Sequence, residues 1–368
     1  MRVGIVTITE LDNYGNRLQN YGLQRTLQKM GVEVETLHNY IAYRYLKETR
    51  FKFTRIVKGI LFHDKKKLSQ ILRQLRFEQF DKKYFNFSSA YSTFNYISEN
   101  VMEQYDFFIA GSDQIWNPHF LFNFEFNFLT FADYKQRIAY SASFGIDEIP
   151  EDKAESFKKY VDGMRCISTR EYAGADIVKK LTGRQVPVVI DPSLLLDKEE
   201  WEHMENRPRY INKDDKYIVV YHLGSAENKQ AVLEKLFEKY KDYKRYKVFD
   251  IGDNEKVREF ATRPDEFIWC VHHAELVVTD SFHATLFSLI METPLYYTNR
   301  VDGFISMNSR VESLFRLLNL SFPNNEEIFT KHITDAELLK QAITDRQQEA
   351  IEYLKTSLEI KNKYSVSR

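Results

Sequence analysis

The sequence predicts an α/β protein of two doubly wound, Rossmann-like domains, with a helical insertion in the first domain and a helix at the C-terminus. Its 368 residues exceed the size, about 250 to 300 residues, at which single hydrophobic cores stop growing. Two successive sets of short apolar runs alternate with segments of helical periodicity, which is typical of parallel sheets covered by helices. We therefore expect a first domain over 1–200, a second over 201–345 and a C-terminal helix over 346–368.

The first domain opens on a predicted βαβ unit, in which apolar runs at 3–8 and 32–37 flank a helical pattern at 13–30. Residues 40–100 interrupt this pattern, because they are basic and aromatic without the alternation of a strand, and they are predicted to form an inserted helical arm. Further strands of the first domain are predicted at 107–110, 137–144, 166–168 and 186–190. Those of the second domain are predicted at 217–221, 246–251, 276–279 and 295–297.

Composition favours a soluble globular protein, with 43% apolar and 29% charged residues and a formal net charge of −1. No apolar run reaches the roughly 18 to 20 residues that a spanning helix requires. The two cysteines, Cys166 and Cys270, lie in apolar runs without metal-ligand spacing, so we expect reduced, buried thiols and a cytoplasmic protein. No nucleic-acid partner, metal or redox cofactor is expected.

The basic arm has a strong local charge, because residues 41–84 contain 13 Lys and Arg against 4 Asp and Glu. Basic and aromatic residues in amphipathic order are typical of segments that contact an anionic surface. We expect the arm to contact the acceptor substrate or the inner face of the membrane. A solvated helical face that covers one edge of the sheet is the alternative.

Residues that follow strands deserve most weight, because parallel sheets bind ligands beyond the carboxyl ends of their strands. At the first such junction, Asn13, Tyr14 and Gly15 open a predicted helix whose amides suit an anion or a sugar hydroxyl. An Asn cap with a turn glycine explains the same residues. No GxGxxG follows any strand, which argues against a dinucleotide site.

At the second junction, polar side chains surround one tryptophan, a combination that suits a pyranose. We take as candidate acceptor-binding residues Ser112, Gln114, Trp116 and Asn117, with Asp113 as a candidate general base. A Gly-Ser-Asp turn is also common as a purely structural feature, and a structural hydrogen bond explains Asp113 nearly as well.

At the third junction, Arg170 is predicted in the first turn of a helix, where the helix dipole disfavours a cation. A bound anion would explain it, since the planar guanidinium matches a carboxylate. An ion pair with Glu171 is the alternative.

At the fourth junction, a buried strand turns into a helix at Ser281, Phe282 and His283, whose amides suit a phosphate. A histidine in such a fold is more often a structural residue, as we expect for His272 and His273.

Six motifs in this order resemble those of the polysaccharide pyruvyl transferase family. They are Asn-Tyr-Gly at 13–15, Ala-Gly-Ser-Asp-Gln-Ile-Trp-Asn-Pro at 110–118, Tyr-Ser-Ala-Ser-Phe-Gly at 140–145, Ser-Thr-Arg-Glu at 168–171, Val-Ile-Asp-Pro-Ser-Leu-Leu-Leu at 189–196 and Thr-Asp-Ser-Phe-His at 279–283. The resemblance implies a GT-B-like architecture, phosphoenolpyruvate as donor co-substrate without a further cofactor, and a sugar of a polysaccharide or lipid-linked glycan as acceptor.

The resemblance also implies that Arg170 and His283 grip the donor, the first at its carboxylate and the second at its phosphate, beside Ser281 and Phe282. One position departs from the family pattern, since Ala284 stands where glycine is usual. A glycosyltransferase that uses a nucleotide sugar, and a non-catalytic glycan-binding relative, are the alternatives that the same architecture allows.

Overall fold

Two parallel sheets form the framework of the protein. A computed structural model describes residues 1–9, 12–39, 65–92, 102–120, 125–224, 230–249, 261–299, 308–323 and 327–360. Within these residues every strand pair in the two sheets is parallel, and helices connect the strands. The α/β architecture of two Rossmann-like domains is confirmed.

Among the described residues, the first sheet has six strands in the order β3-β2-β1-β4-β5-β6, which is the doubly wound order of dinucleotide-binding folds. They are β1 (Arg2–Val6), β2 (Glu33–Asn39), β3 (Phe87–Ser92), β4 (Phe107–Ala110), β5 (Arg137–Ala142) and β6 (Cys166–Thr169). The accompanying helices are α1 (Tyr14–Lys29), α2 (Lys65–Tyr84), α3 (Ala154–Asp162), α4 (Tyr172–Thr182) and α5 (Lys198–Met204). The order reverses between β1 and β4, so the loops after these strands border the crevice where such sheets bind ligands.

The described residues of the second sheet form four strands in the order β10-β9-β7-β8. They are β7 (Tyr217–Tyr221), β8 (Lys244–Phe249), β9 (Leu276–Thr279) and β10 (Leu295–Tyr297). The following helices accompany this sheet or come after it: α6 (Gln230–Lys239), α7 (Pro264–His272), α8 (Phe282–Ile290), α9 (Ser309–Leu317), α10 (Lys331–Thr334) and α11 (Ala336–Ser357). None of the described helices combines the length and apolar character that a membrane span needs.

Two features of the first sheet differ from the prediction. The arm predicted to be helical contains β3, which pairs with β2 at the sheet edge, so α2 is part of the crossover between two strands. The strand predicted at 186–190 is only a single bridge between Val188 and Thr169, where Pro187 lacks the N–H that a longer ladder would use. Residues 40–64 and 93–101, the rest of the predicted arm, lie outside the described residues.

Helix α2 packs between the domains instead of facing outward along its whole length. Arg73, which is 3% exposed, donates from Nη1 to the Tyr14 hydroxyl at 2.9 Å. Arg76 forms an ion pair with Glu266 at the start of α7. Two cations in the described part of the basic arm, Arg73 and Arg76, therefore contact other parts of the protein. A membrane role for the remainder of the arm stays a prediction.

Helix α11 returns from the second domain to the first. The Tyr353 hydroxyl donates to the carbonyl of Ala139 in β5 at 2.8 Å, and Gln347 Nε2 donates to the Leu194 carbonyl, also at 2.8 Å. The helix begins at Ala336, earlier than the predicted start at 346. Neither Cys166 nor Cys270 forms a disulfide; Cys270 is buried, as predicted, whereas Cys166 is only half-buried.

Candidate functional site

A cluster of charged side chains lies where the carboxyl ends of the two sheets meet. Asp113 follows β4, Arg170 follows β6, Asp191 follows the Val188 bridge, and His283 lies in the first turn of α8 after β9. Although they are far apart in the sequence, Asp113 and Asp191 contact Arg170, and His283 faces Asp191. Arg170 and His283, which follow strands of different sheets, therefore lie on either side of the same carboxylate, and their binding of a common donor stays a prediction.

Arg170 is the centre of this cluster and is only 2% exposed. Its Nη1 donates to Asp191 Oδ2 at 3.0 Å, its Nη2 lies 3.3 Å from Asp113 Oδ1, and its Nε lies 3.7 Å from Glu171 Oε2. Burial alone lowers the pKa of Arg170, but the charges of Asp113, Asp191 and Glu171 more than reverse this effect and raise it. Arg170 is thus a permanent cation held among carboxylates.

The position of Arg170 differs from the prediction in two respects. It precedes α4, whose N-cap is Glu171, so the helix-dipole reason for a bound anion does not apply to it. Two of its N–H groups already bind carboxylates of the protein, and the ring of Phe282 covers the guanidinium at 4.4 Å from Cζ. The predicted alternative, contact with Glu171, is also present.

Asp191 connects the two domains electrostatically. Its side chain is completely buried, and Oδ1 accepts a hydrogen bond of 2.9 Å from the Ser193 amide. Oδ2 accepts from Arg170 and faces His283 Nε2 at 3.6 Å. Burial alone raises the pKa of Asp191, but His283, Arg170 and the Ser193 amide together hold it below its usual value. Asp191 is therefore an ionised carboxylate at neutral pH.

His283 is 6% exposed and lies at the domain boundary. Its Nε2 has no hydrogen-bond partner in the described part of the chain, because the 3.6 Å to Asp191 exceeds hydrogen-bond length. Ser281 caps α8 by accepting from the Ala284 amide at 3.5 Å. A Cβ added to Gly15 would lie 2.0 Å from His283 Nδ1, so only glycine in α1 allows this ring to approach the first domain.

The residues of the second junction are only partly available to a ligand. Trp116 is fully buried, stacks on Phe128 with ring centroids 5.1 Å apart, and donates from Nε1 to the Asn127 carbonyl. It is a core residue, so the predicted stacking of a sugar on its ring is wrong for this structure. Gln114 Oε1 accepts from Asn117 Nδ2 at 2.6 Å, so these two amides bind each other.

Ser112 and Asp113 begin the loop after β4. The Ser112 hydroxyl is buried and donates to the Ser141 carbonyl at 2.7 Å, which is a structural contact. Asp113 has a φ of +57°, a left-handed conformation that Asp tolerates better than most residues, and its carboxylate contacts Arg170. The predicted role of Asp113 as a base is untested, and its predicted structural role is present.

At the first junction, the predicted acceptor-binding residues cap a helix and contact the second domain. Asn13 caps α1 by accepting from the Asn16 amide at 3.4 Å, as the structural alternative predicted. Tyr14 is fully buried, and its hydroxyl donates to the Thr262 carbonyl of the second domain at 3.0 Å. Burial raises the pKa of Tyr14 to about 12. The prediction that Tyr14 binds the acceptor is wrong here, because its ring and hydroxyl are enclosed by protein.

Asp191 of the cluster, and Glu171 beside Arg170, had no predicted role in binding or catalysis. Asp191 was noted only as the end of a predicted strand, although an acidic residue directly after the apolar run 188–190 has the same position as the other site residues. Glu171 is buried, and this burial raises its pKa despite the opposing charge of Arg170. The Val-Ile-Asp-Pro motif was the signal for Asp191.

Comparison with known proteins identifies the family of the chain. The family model for polysaccharide pyruvyl transferase matches residues 13–300, a segment that contains all four residues of the cluster. No curated protein gives a significant match.

The chain also resembles solved structures at low identity. UDP-GlcNAc 2-epimerase from Neisseria meningitidis bound to UDP-GlcNAc has 11% identity and a TM-score of 0.49, with 97% of this chain and 100% of that chain covered. MurG of Acinetobacter baumannii has 9% identity and a TM-score of 0.39, with 97% of this chain and 99% of that chain covered. These similarities are too weak to support a conclusion about substrate. The family match, which covers most of the chain and all six motifs, shows that the protein belongs to the polysaccharide pyruvyl transferase family.

Proposed function

We propose that the protein transfers pyruvate from phosphoenolpyruvate to a sugar of a cell-surface glycan, or of its lipid-linked precursor, and forms a cyclic ketal. Family membership supports transfer of a pyruvyl group. The observation that carries the proposal is the meeting of Arg170 and His283 at one atom, Asp191 Oδ2, at 3.0 Å and 3.6 Å. A site built from both domains would allow an anionic donor and a sugar acceptor to bind side by side, which supports the proposal.

Donor binding is assigned to the cationic side of the cluster. The guanidinium of Arg170 has more N–H donors than its contacts with Asp191 and Asp113 use, and these are available to the donor carboxylate. The donor phosphate would lie at the N-terminus of α8, beside His283, where backbone amides attract anions.

The proposed reaction begins with proton transfer to the methylene carbon of the donor. We assign this proton to His283, whose Nε2 is buried, lacks a hydrogen-bond partner among the described residues and faces the ionised Asp191. Protonation makes the central carbon electrophilic, and a sugar hydroxyl attacks it while Asp113 accepts the hydroxyl proton. A second hydroxyl then attacks the same carbon and displaces phosphate; its proton returns to His283, and the proton held by Asp113 leaves with the phosphate. The products are therefore the pyruvylated sugar, as a cyclic ketal, and inorganic phosphate.

The acceptor side is proposed to lie at the rim of this cluster. Asn13 is half-buried there, whereas Gln114, Asn117 and Ser112 would contact an acceptor only if their present hydrogen bonds rearranged. We propose that the basic arm guides a lipid-linked acceptor at the inner face of the membrane. Sedimentation with anionic liposomes tests this role, and absence of binding would leave the arm as a solvated cover of the sheet.

The experiment measures phosphate release from phosphoenolpyruvate with a panel of lipid-linked and nucleotide-linked glycans, together with the mass of each acceptor. We expect phosphate release coupled to a pyruvyl mass gain, and loss of at least about 100-fold in kcat for His283→Gln. His203→Gln changes an exposed histidine on α5 and should retain full activity.

Three results would count against the proposal. Turnover of a nucleotide sugar without use of phosphoenolpyruvate would identify a glycosyltransferase. Glycan binding by a folded protein that neither binds phosphoenolpyruvate nor releases phosphate would identify a non-catalytic relative. Near wild-type turnover of His283→Gln would show that the cluster is not the donor site.

A further inference from the structure

A second cluster of side chains lies at the junction between the end of α5 and the end of α7. Glu205 is the C-cap residue of α5, His272 is the last residue of α7, and His273 is its C-cap. Glu205 Oε2 lies 2.9 Å from His272 Nδ1, and its Oε1 lies 3.1 Å from His273 Nε2. One ligand atom from each of the three side chains can be chosen so that all lie within 4.8 Å of one another.

We propose that Glu205, His272 and His273 bind a divalent transition-metal ion. Two imidazole nitrogens and one carboxylate oxygen are ligands that zinc, nickel, cobalt and copper ions accept. Two ligand atoms that each lie about 2.1 Å from one ion are separated by about 3.0 to 3.4 Å, depending on whether the geometry is octahedral or tetrahedral. Each histidine nitrogen is close to this range from a different carboxylate oxygen of Glu205, with His272 Nδ1 at 2.9 Å from Oε2 and His273 Nε2 at 3.1 Å from Oε1.

The surroundings of the two imidazoles favour metal binding. The other ring nitrogen of His272 faces Glu202 Oε1 at 3.6 Å, and a carboxylate behind a coordinating histidine orients the ring and increases its basicity. The ring of His273 stacks on Trp269 with centroids 4.5 Å apart and an angle of 27°, which limits its motion.

The cluster is also accessible to a cation from solvent. The His273 side chain is 43% exposed, whereas those of His272 and Glu205 are 21% and 16% exposed. An ion can therefore enter from the His273 side, while the other two ligands are held within the protein.

Metal binding here would connect two segments that meet between the domains. Glu205 and His272 are separated by 67 positions in the chain, and Glu205 opens the segment that leads into the second domain. The Asn206 amide already bonds the Asp265 carbonyl in α7 at 3.1 Å, so the segment is positioned without an ion. Because the ion binds the folded arrangement, it should raise the melting temperature in a saturable way. The inference is independent of the proposed transferase activity.

The test is a zinc titration of the full chain after a chelator has removed bound metal. Competition with a metal-binding dye gives the dissociation constant, and the melting temperature reports the stabilisation of the fold. We expect one zinc ion per chain and a dissociation constant at least about tenfold higher for Glu205→Gln and His273→Gln. His273 is partly exposed, so its substitution should leave the fold intact. His203→Gln, a histidine on α5 outside the cluster, is the matched control and should bind like the wild type.

Visible absorption of bound cobalt gives a second measurement, since its intensity and position report the number and type of ligands. The proposal is overturned if the wild-type chain binds no zinc ion. It is equally overturned if Glu205→Gln and His273→Gln bind as tightly as His203→Gln, because the ion would then lie elsewhere and the cluster would be only a pair of histidine–glutamate ion pairs.

Discussion

Replacement of Arg170 by alanine should destabilise the protein strongly and in a pH-dependent way. Asp191, Glu171 and Asp113 surround its guanidinium, and their side chains are 0%, 1% and 11% exposed. Removal of one partner of a buried ion pair costs about 3 to 5 kcal/mol, because the remaining charge stays buried without compensation. For a domain of about 200 residues, this corresponds to a decrease in melting temperature of about 6 to 20 °C.

The pH dependence has a definite sign. Without Arg170, the buried carboxylates should have folded-state pKa values above those of the unfolded chain. Such groups contribute stability that is present below the unfolded pKa and is lost as pH rises through the folded pKa. The difference in melting temperature between wild type and Arg170→Ala should therefore be small near about pH 4 and increase toward about pH 8.

Melting curves of Arg170→Ala, Arg170→Lys and wild type across this pH range test the reasoning. Arg170→Lys keeps the charge but loses the planar fork, so its loss of stability should be smaller. Arg209→Ala removes an exposed arginine and should change stability by no more than about 0.5 kcal/mol. If Arg170→Ala melts like Arg209→Ala at every pH, the buried carboxylates do not depend on the charge of Arg170. Activity assays on Arg170 variants need this control.

Three further perturbations test other contacts. Gly15→Ala should decrease turnover by at least about tenfold, because the new methyl group displaces the ring of His283. Gly31→Ala is the control: Gly31 has open space around it but a φ of +79°, so the variant should lower stability and leave turnover unchanged. Tyr14→Phe should cost about 1 to 2 kcal/mol in chemical denaturation, since it removes a buried hydrogen bond between the domains. The lowered pKa of Glu205 contributes stability above pH 4.5, the ordinary pKa of this group, and this contribution disappears as pH falls to about 2. In Glu205→Gln the loss of stability between these two pH values should therefore be smaller than in the wild type. An unchanged dependence of melting temperature on acidic pH would contradict this.

The order of elements and the location of the cluster could be predicted from the sequence because both depend on local patterns. Apolar runs marked nine of the ten strands in the part of the chain that the structure describes, and residues just after them include Arg170 and His283. Strand β3 was missed because its sequence, Phe-Ser-Ser-Ala-Tyr-Ser, has no β-branched residue and lies in a basic, aromatic segment.

The partners of polar and aromatic side chains could not be predicted in the same way. Trp116 and Tyr14 lie in motifs that suit a sugar site, but both are enclosed by residues distant in the sequence. The contact of Tyr14 with Thr262 spans 248 positions, and no local pattern indicates it. Likewise, Asp113 and Asp191 reach Arg170 only through the tertiary fold, whereas Glu171 is its neighbour in the sequence. The ends of the strands could therefore be predicted from the sequence, but the contacts of each side chain there could not.

The Asn-Tyr-Gly motif acquires a different meaning from these contacts. Tyr14 bonds the second domain through its hydroxyl and stacks on Phe267 of α7 at 4.5 Å. The next residue, Gly15, provides the space in which His283 approaches Asp191. Both contacts cross the domain boundary, so separation of the domains would break the first and move His283 away from Asp191. The Asn-Tyr-Gly motif thus contributes both to the contact between the domains and to the assembly of the charged cluster. His283 faces Asp191 only while the two domains stay together.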